Sequence, residues 1–134
     1  MDFKEEIVNY IDAQIKLDSA EKELNNQRRD LESRLRAELK KDFEEINARH
    51  ETKLESIDCN LSCLRLPDKL EYNFSLYINR IVRGGHKIME DDEKEAALVE
   101  FKDDFKKLSE KYSAIKIEYP VTVGSMNSYK KFKF

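Results

Sequence analysis

YIDAQIKLDSAEKELNNQRRDL, residues 10–31, decides the fold. Tyr10, Leu17, Leu24 and Leu31 recur at every seventh position, and Ala13, Ala20 and Gln27 stand three residues further on. A seven-residue apolar repeat keeps one seam of a helix turned toward a partner helix, so these are the a and d positions of a coiled coil. The small and polar d residues make that layer the weaker one. Downstream the phase changes. Leu35, Leu39, Phe43, Ile46, His50, Leu54 and Ile57 advance by fours and threes, an eleven-residue repeat that averages about 3.67 residues per turn. No proline precedes Pro67 and no glycine precedes Gly84, and strong helix formers fill the interval. The expectation is one helix over residues 2–57. The rival is a hairpin bent at Asn25-Asn26, against which Leu24 and Leu31 keep their heptad phase across the pair.

A helix of about 55 residues runs roughly 80 Å, and a chain of 134 residues cannot cover its stripe alone. A second copy is the expected partner, with Tyr10, Leu17, Leu24, Leu31, Leu35, Leu39, Phe43 and Ile46 forming the dimer seam. His50 lies on the same stripe and reads as a seam histidine facing its mate.

Residues 58–134 differ in character and read as a small head, which makes the fold class α+β and divides the chain into 1–57 and 58–134. Leu66-Pro67-Asp68 is a break. Tyr72, Phe74, Leu76 and Ile78 alternate with polar residues as a strand does, although Leu70, Phe74, Ile78 and Ile81 also share a helical face. Asn73, Ser75 and Asn79 are poor helix residues and favour the strand. One amphipathic helix is expected over residues 90–113, where Ala97, Leu98, Phe101, Phe105, Leu108 and Tyr112 form a stripe. Acidic residues crowd its first turn and lysines its end, as the helix dipole favours. Ile115 to Val123 reads as a strand entering a turn at Gly124-Ser125, and Tyr129 to Phe134 as a returning edge strand.

Lys+Arg 25 against Asp+Glu 28 leaves a net charge of −3, which argues against bulk coating of nucleic acid. Residues 1–57 carry 11 basic and 15 acidic side chains, and residues 58–134 carry 14 and 13, so the head is near neutral. No apolar run reaches the length of a membrane span and the N-terminus is not signal-like. With Cys 2, a disulfide scaffold is not expected and a reducing cytoplasm is. Cys59 and Cys63 with His50 and His86 lack the second close ligand pair of a zinc knuckle, so no metal site is expected. Paired carboxylates in Glu90-Asp91-Asp92-Glu93 and Asp103-Asp104 have no further ligand spaced to help hold a metal, and the first cluster reads as a solvated helix N-terminus. No nucleophile, paired acid and base or cofactor motif is present, so the chain does not read as an enzyme.

Two segments concentrate positive charge. Arg80, Arg83, His86 and Lys87 surround Gly84-Gly85, whose backbone amides are free to approach a phosphate, although Gly-Gly is equally a turn signal. In the tail, Lys130, Lys131 and Lys133 alternate with aromatics, a pattern suited to base stacking or to a lysine-guarded edge strand. In general plan the chain resembles kinetochore and chromosome-organising subunits, and in size and acidity many virus-encoded accessory proteins. Neither likeness rests on a motif, so no residue role is carried across. The expected function is a homodimeric coiled-coil protein that docks a protein partner through its head, as an adaptor or as an inhibitor of a larger enzyme. Nucleic-acid binding through the Gly-Gly turn and the tail is the alternative.

Overall fold

Asn47 decides where the long helix stops. Its amide nitrogen donates to the Leu54 carbonyl and its amide oxygen accepts from the Leu54 backbone N–H, both at 2.9 Å. One side chain thereby satisfies both backbone groups of Leu54, which is already in the first strand. Lys53 Nζ donates to the carbonyls of Asn47, in the last turn of the helix, and of His50 just beyond it. Helix α1 therefore spans Phe3–Ala48, and the expectation that it continues to residue 57 is corrected. Leu54 and Ile57 keep the helical spacing by coincidence; both lie in strand β1, Lys53–Arg65.

The computed structural model describes the backbone of residues 3–65 and 70–134, and the side chains of 3–62 and 73–134. The expected break at Leu66-Pro67-Asp68 lies outside the described residues. The chain forms two units, Met1–Glu38 and Leu39–Phe134, so the boundary falls within α1 and not at 57/58. The reason lies in burial. Leu39, Phe43 and Ile46 are each only 4% exposed, packed into the core of their own chain, and this corrects their assignment to the dimer seam. Tyr10, Leu17, Leu24 and Leu31 lie between 40% and 70% exposed.

In the second unit β1 pairs antiparallel with β2, Leu70–Arg83, which confirms the strand reading of the alternating Phe74, Leu76 and Ile78. These three are buried, as are Ile117, Tyr119 and Phe132 on the neighbouring strands and Ile115 just before the strand that begins at Lys116. A two-residue strand, β3 (His86–Lys87), turns back on β2. Strand β4 (Lys116–Val123) lies parallel to β2, and β5 (Met126–Phe132) antiparallel to β4. The sheet order is β1-β2-β4-β5, with β3 paired to β2 off this path. Between β3 and β4 come helices α2 (Asp91–Val99) and α3 (Lys102–Lys111).

The single helix expected over residues 90–113 is thus two. Phe101 is the hinge: its N–H donates to the Leu98 carbonyl, its own carbonyl accepts from Phe105, and its backbone leaves the helical region. No proline or glycine is present to break the helix. Phe101 is fully buried, with its ring 4.2 Å from that of His50 and 6.0 Å from that of Phe105. Tertiary packing overrides local propensity here, as it commonly does. Ala97, Leu98, Phe101, Phe105 and Leu108 form the helical side of the core.

Strand β2 changes which residues face the core along its length. Phe74, Leu76 and Ile78 are buried, then Ile81 and Val82. The change occurs opposite Ser56, which sits at φ 52° in the left-handed region. Asn79 stitches the irregularity, donating to the Ser56 carbonyl at 2.9 Å and to Asp58 at 3.0 Å. Its oxygen accepts from the Tyr129 hydroxyl at 2.6 Å, tying β5 to β2.

Candidate functional site

The residues singled out from sequence fall into four places. The first is the N-terminal unit. There Tyr10, Leu17, Leu24 and Leu31 stand exposed at heptad positions, with Phe3 one heptad earlier and Ile7, Ile11 and Ile15 also exposed. Leu35 is half-buried. Polar side chains between them make local pairs, Arg28 with Glu32 at 3.1 Å and Arg34 with Asp30 at 2.9 Å. Such exposed i,i+4 pairs contribute about 0.3–0.5 kcal/mol each, too little to account for so much apolar surface left in water. Large exposed apolar patches generally mark an interaction site.

The second place is the Gly-Gly turn. Gly84 and Gly85 have φ 60° and 78° and connect Arg83 and His86, which pair directly. Positive φ at both central residues is the type I′ hairpin turn, whose twist matches that of the flanking strands. The neighbouring arginines are committed within the chain. Arg80 pairs with Glu55 at 3.4 Å. Arg83 donates to the Thr52 hydroxyl at 3.0 Å and pairs with Glu100 at 2.5 Å. Thr52 is itself buried. Four candidates, Arg80, Arg83, His86 and Lys87, therefore present no unpaired cluster; of the three permanent cations only the Lys87 side chain makes no ion pair or hydrogen bond among the described residues.

The tail is the third. Tyr129, Lys130, Lys131 and Phe132 belong to edge strand β5, and alternation divides their side chains between the two faces. Phe132 is buried, its ring 5.9 Å from that of Phe105. Lys130 reaches Glu95 of α2 at 3.9 Å, while Lys131 lies opposite Glu118 on β4 and Lys133 is exposed beyond the strand. Tyr129 packs edge-on against Tyr77 with ring centroids 4.9 Å apart.

The fourth place surrounds His50, and here sequence reading misplaced the chemistry. His50 is not on a helix stripe facing another chain. Its Nε2 donates to Asp104 Oδ2 at 2.8 Å, and Arg49 donates to the other carboxylate oxygen. Asp104, which sequence grouped only with Asp103 as an acidic pair, has a side chain only 10% exposed. Burial pushes its carboxyl up, but the hydrogen bonds from Arg49 and His50 outweigh this and hold it below the ordinary value of 3.8. The cluster clamps the end of α1 to α3. Its contribution to stability is present above the unfolded carboxyl value and is lost as pH falls below 3.8 toward the lower folded value. Asp104→Asn is expected to cost about 2 kcal/mol at pH 7 and to flatten the acid limb of a stability-against-pH curve from chemical denaturation.

The acids at residues 90–93 start α2 without a side-chain cap. Asp91 accepts from the Thr122 backbone N–H at 3.1 Å. Beneath them Tyr119 is buried, and burial together with Glu95, Asp91 and Asp92 raises its hydroxyl above the ordinary value. No three His, Cys, Asp or Glu side chains come together as metal ligands among the described residues. Cys59 is a free thiol; the side chain of Cys63 lies outside the described residues. No helix of the described residues is long and apolar enough to cross a membrane.

A cleft that sequence did not signal opens where β2 and β4 part. The two parallel strands are in register only from Ser75 to Tyr77 against Lys116 to Glu118. Beyond that β2 stays with β1 and β3 while β4 stays with β5. The space between, about 380 Å³, is lined from five elements and the segment after β3. Only Lys87 and Tyr129 of its residues stand in segments singled out from sequence; no spacing rule brings Asn79, Lys94, Thr122 and Asn127 together. Compared with protein-family models, curated proteins and solved structures, the chain matches none of them, so the reading of its function rests on its own residues.

Proposed function

We propose that the chain is a cytoplasmic homodimeric coiled-coil interaction protein, of the adaptor or inhibitor type, that docks a protein partner through its head. One observation carries the dimer. Along one continuous helix, apolar residues of the same stripe pass from 40–70% exposure at Tyr10, Leu17, Leu24 and Leu31 to 4% at Leu39, Phe43 and Ile46. The head covers the latter three. The former keep a heptad, the pattern that a second copy of the same helix covers by knobs-into-holes packing. The seam of the proposal accordingly comprises Tyr10, Leu17, Leu24 and Leu31, with Leu35 at its margin.

For the head, β5 is the favoured docking edge. All of its residues but Phe132 are exposed, and among the described residues no strand pairs with its outer side. An open edge accepts an extended segment by backbone hydrogen bonding. Lys130 and Lys131 on that edge disfavour apolar strands and favour an acidic one. Nucleic-acid binding ranks behind, because Arg80, Arg83 and Lys130 already face carboxylates of the same chain.

Light scattering at micromolar concentration is expected to give about twice the 15.9 kDa of one chain; a monomer overturns the dimer. In a salt titration with DNA and RNA, little binding is expected near 0.15 M. Tight binding that falls by roughly 0.9 log units per log unit of salt for each phosphate contacted would put nucleic acid first.

A further inference from the structure

We propose that the cleft between β2 and β4 binds a small hydroxylated phosphate monoester, with its phosphate against Lys87 and Lys94. The position is the first reason. In open α/β sheets ligands are bound in the crevice outside the carboxyl ends of parallel strands, and the opening beyond a parallel pair is the corresponding place in this mixed sheet. Here β2 and β4 are the parallel pair, and both run C-terminally into the opening after Tyr77 and Glu118.

The chemistry of the lining is the second. Lys87 and Lys94 are its only ionisable groups besides the Tyr129 hydroxyl, and no carboxylate lines it. Lys94 is held in place: its ammonium donates to the Pro120 carbonyl at 2.8 Å and stands 3.5 Å from Asp91, with its side chain only 12% exposed. Asp91 offsets part of that charge, but Lys87 has no anionic partner among the described residues. The type I′ turn at Gly84-Gly85 fixes the start of β3 and so the place of Lys87 on the cleft. One fixed and one uncompensated ammonium suit a dianion shared between them.

The remaining lining sets the size and character of the rest of the ligand. Thr122, Asn127 and Ser128 offer neutral donors and acceptors, and Met89 and Val121 supply an apolar side. This is the mixture of apolar wall and few polar groups found in small-molecule sites, and about 380 Å³ lies within their usual range. Hydroxyls on the ligand match the neutral groups; a bare hydrocarbon phosphate leaves them unpaired. The site lies within one head, with Asn127, Ser128 and Tyr129 supplied by β5, and needs no second chain, so it stands or falls apart from the dimer.

The test is amide chemical-shift titration of the full chain at 0.15 M salt with glycerol phosphate, inorganic phosphate and glycerol. Glycerol phosphate is expected to saturate, with shifts centred on residues 87–94, 120–122 and 127–129, and glycerol to cause none. Lys87→Ala is expected to weaken binding about tenfold, as loss of a charge-assisted contact does, and Lys87→Glu to abolish it. Asn127→Ala is expected to weaken glycerol phosphate but not inorganic phosphate. Lys87 and Asn127 are exposed, so these variants are expected to keep the wild-type spectrum elsewhere. Non-saturating shifts scattered over surface lysines, or equal affinity in the Lys87→Glu variant, would overturn the proposal.

Discussion

Replacing Leu24 and Leu31 with Asp is expected to halve the mass of the particle in solution and to leave the thermal transition of the head where it was. Each substitution places a carboxylate in the seam of the proposed dimer, and an unpaired buried charge costs several kcal/mol. Two per chain, doubled by symmetry, exceed what a seam of about four heptads with a weak d layer can absorb. Both residues are exposed in the single chain, Leu24 at 63% and Leu31 at 40%, so the head loses nothing. Phe43→Asp, on the same helix, is expected to do the reverse and unfold the head, because Phe43 is in its core. Sedimentation or light scattering, paired with a melting curve, separates the two outcomes. A double variant that remains dimeric places the interface elsewhere.

Among truncations to alanine, the largest loss of stability is expected from Phe105→Ala. This ring is fully buried and touches three others, Phe101, Phe132 and Phe134, at centroid distances of 6.0, 5.9 and 5.8 Å. It therefore joins the α2–α3 hinge, the edge strand and the end of the chain. Truncating a buried phenylalanine costs about 3–5 kcal/mol. For a unit of this size that lowers the melting temperature by roughly 15–30 °C, measurable by near-ultraviolet circular dichroism. Leucine at the same position fills most of the volume and is expected to recover much of the loss. A shift of only a degree or two would show that the aromatic cluster is not the centre of the core.

Residue spacing and turn chemistry made much of the architecture legible. The heptad in residues 10–31, the alternation of Phe74, Leu76 and Ile78, and Gly124 at the β4–β5 turn all led to the elements found. Spacing misled where two structures share it. Leu54 and Ile57 continue the helical count, and only the Asn47 amide, bonded to both backbone groups of Leu54, shows that the helix has ended. The stripe itself carried no sign of which residues face a second chain, because an apolar side chain reads alike in a seam and in a core. Leu39, Phe43 and Ile46 were therefore assigned to the wrong partner. The division of residues 90–113 at Phe101 had no local signal, since His50, which packs on Phe101, is distant in sequence.

Chemistry was less legible than fold for the same reason. Basic residues near Gly84-Gly85 attracted attention as a group, yet the acids that occupy Arg80 and Arg83 come from β1 and from the end of α2. Conversely, nothing near Asp104 in the sequence signals its partners, because only the fold brings Arg49 and His50 to it.

The sharing of α1 between the two units has a kinetic consequence. A free helix pays about 4 kcal/mol to form its first turn, the free-energy equivalent of a nucleation constant near 10⁻³. Residues 39–48 are helical as part of the head, so the N-terminal segment inherits a first turn already made. It needs only to propagate, one hydrogen bond per residue. The head thus templates the helix that the proposed dimer uses, and a chain whose head has not folded has no cheap route to a pairing-competent seam. For the proposed dimer this arrangement implies an order of assembly: head first, helix second, partner chain last.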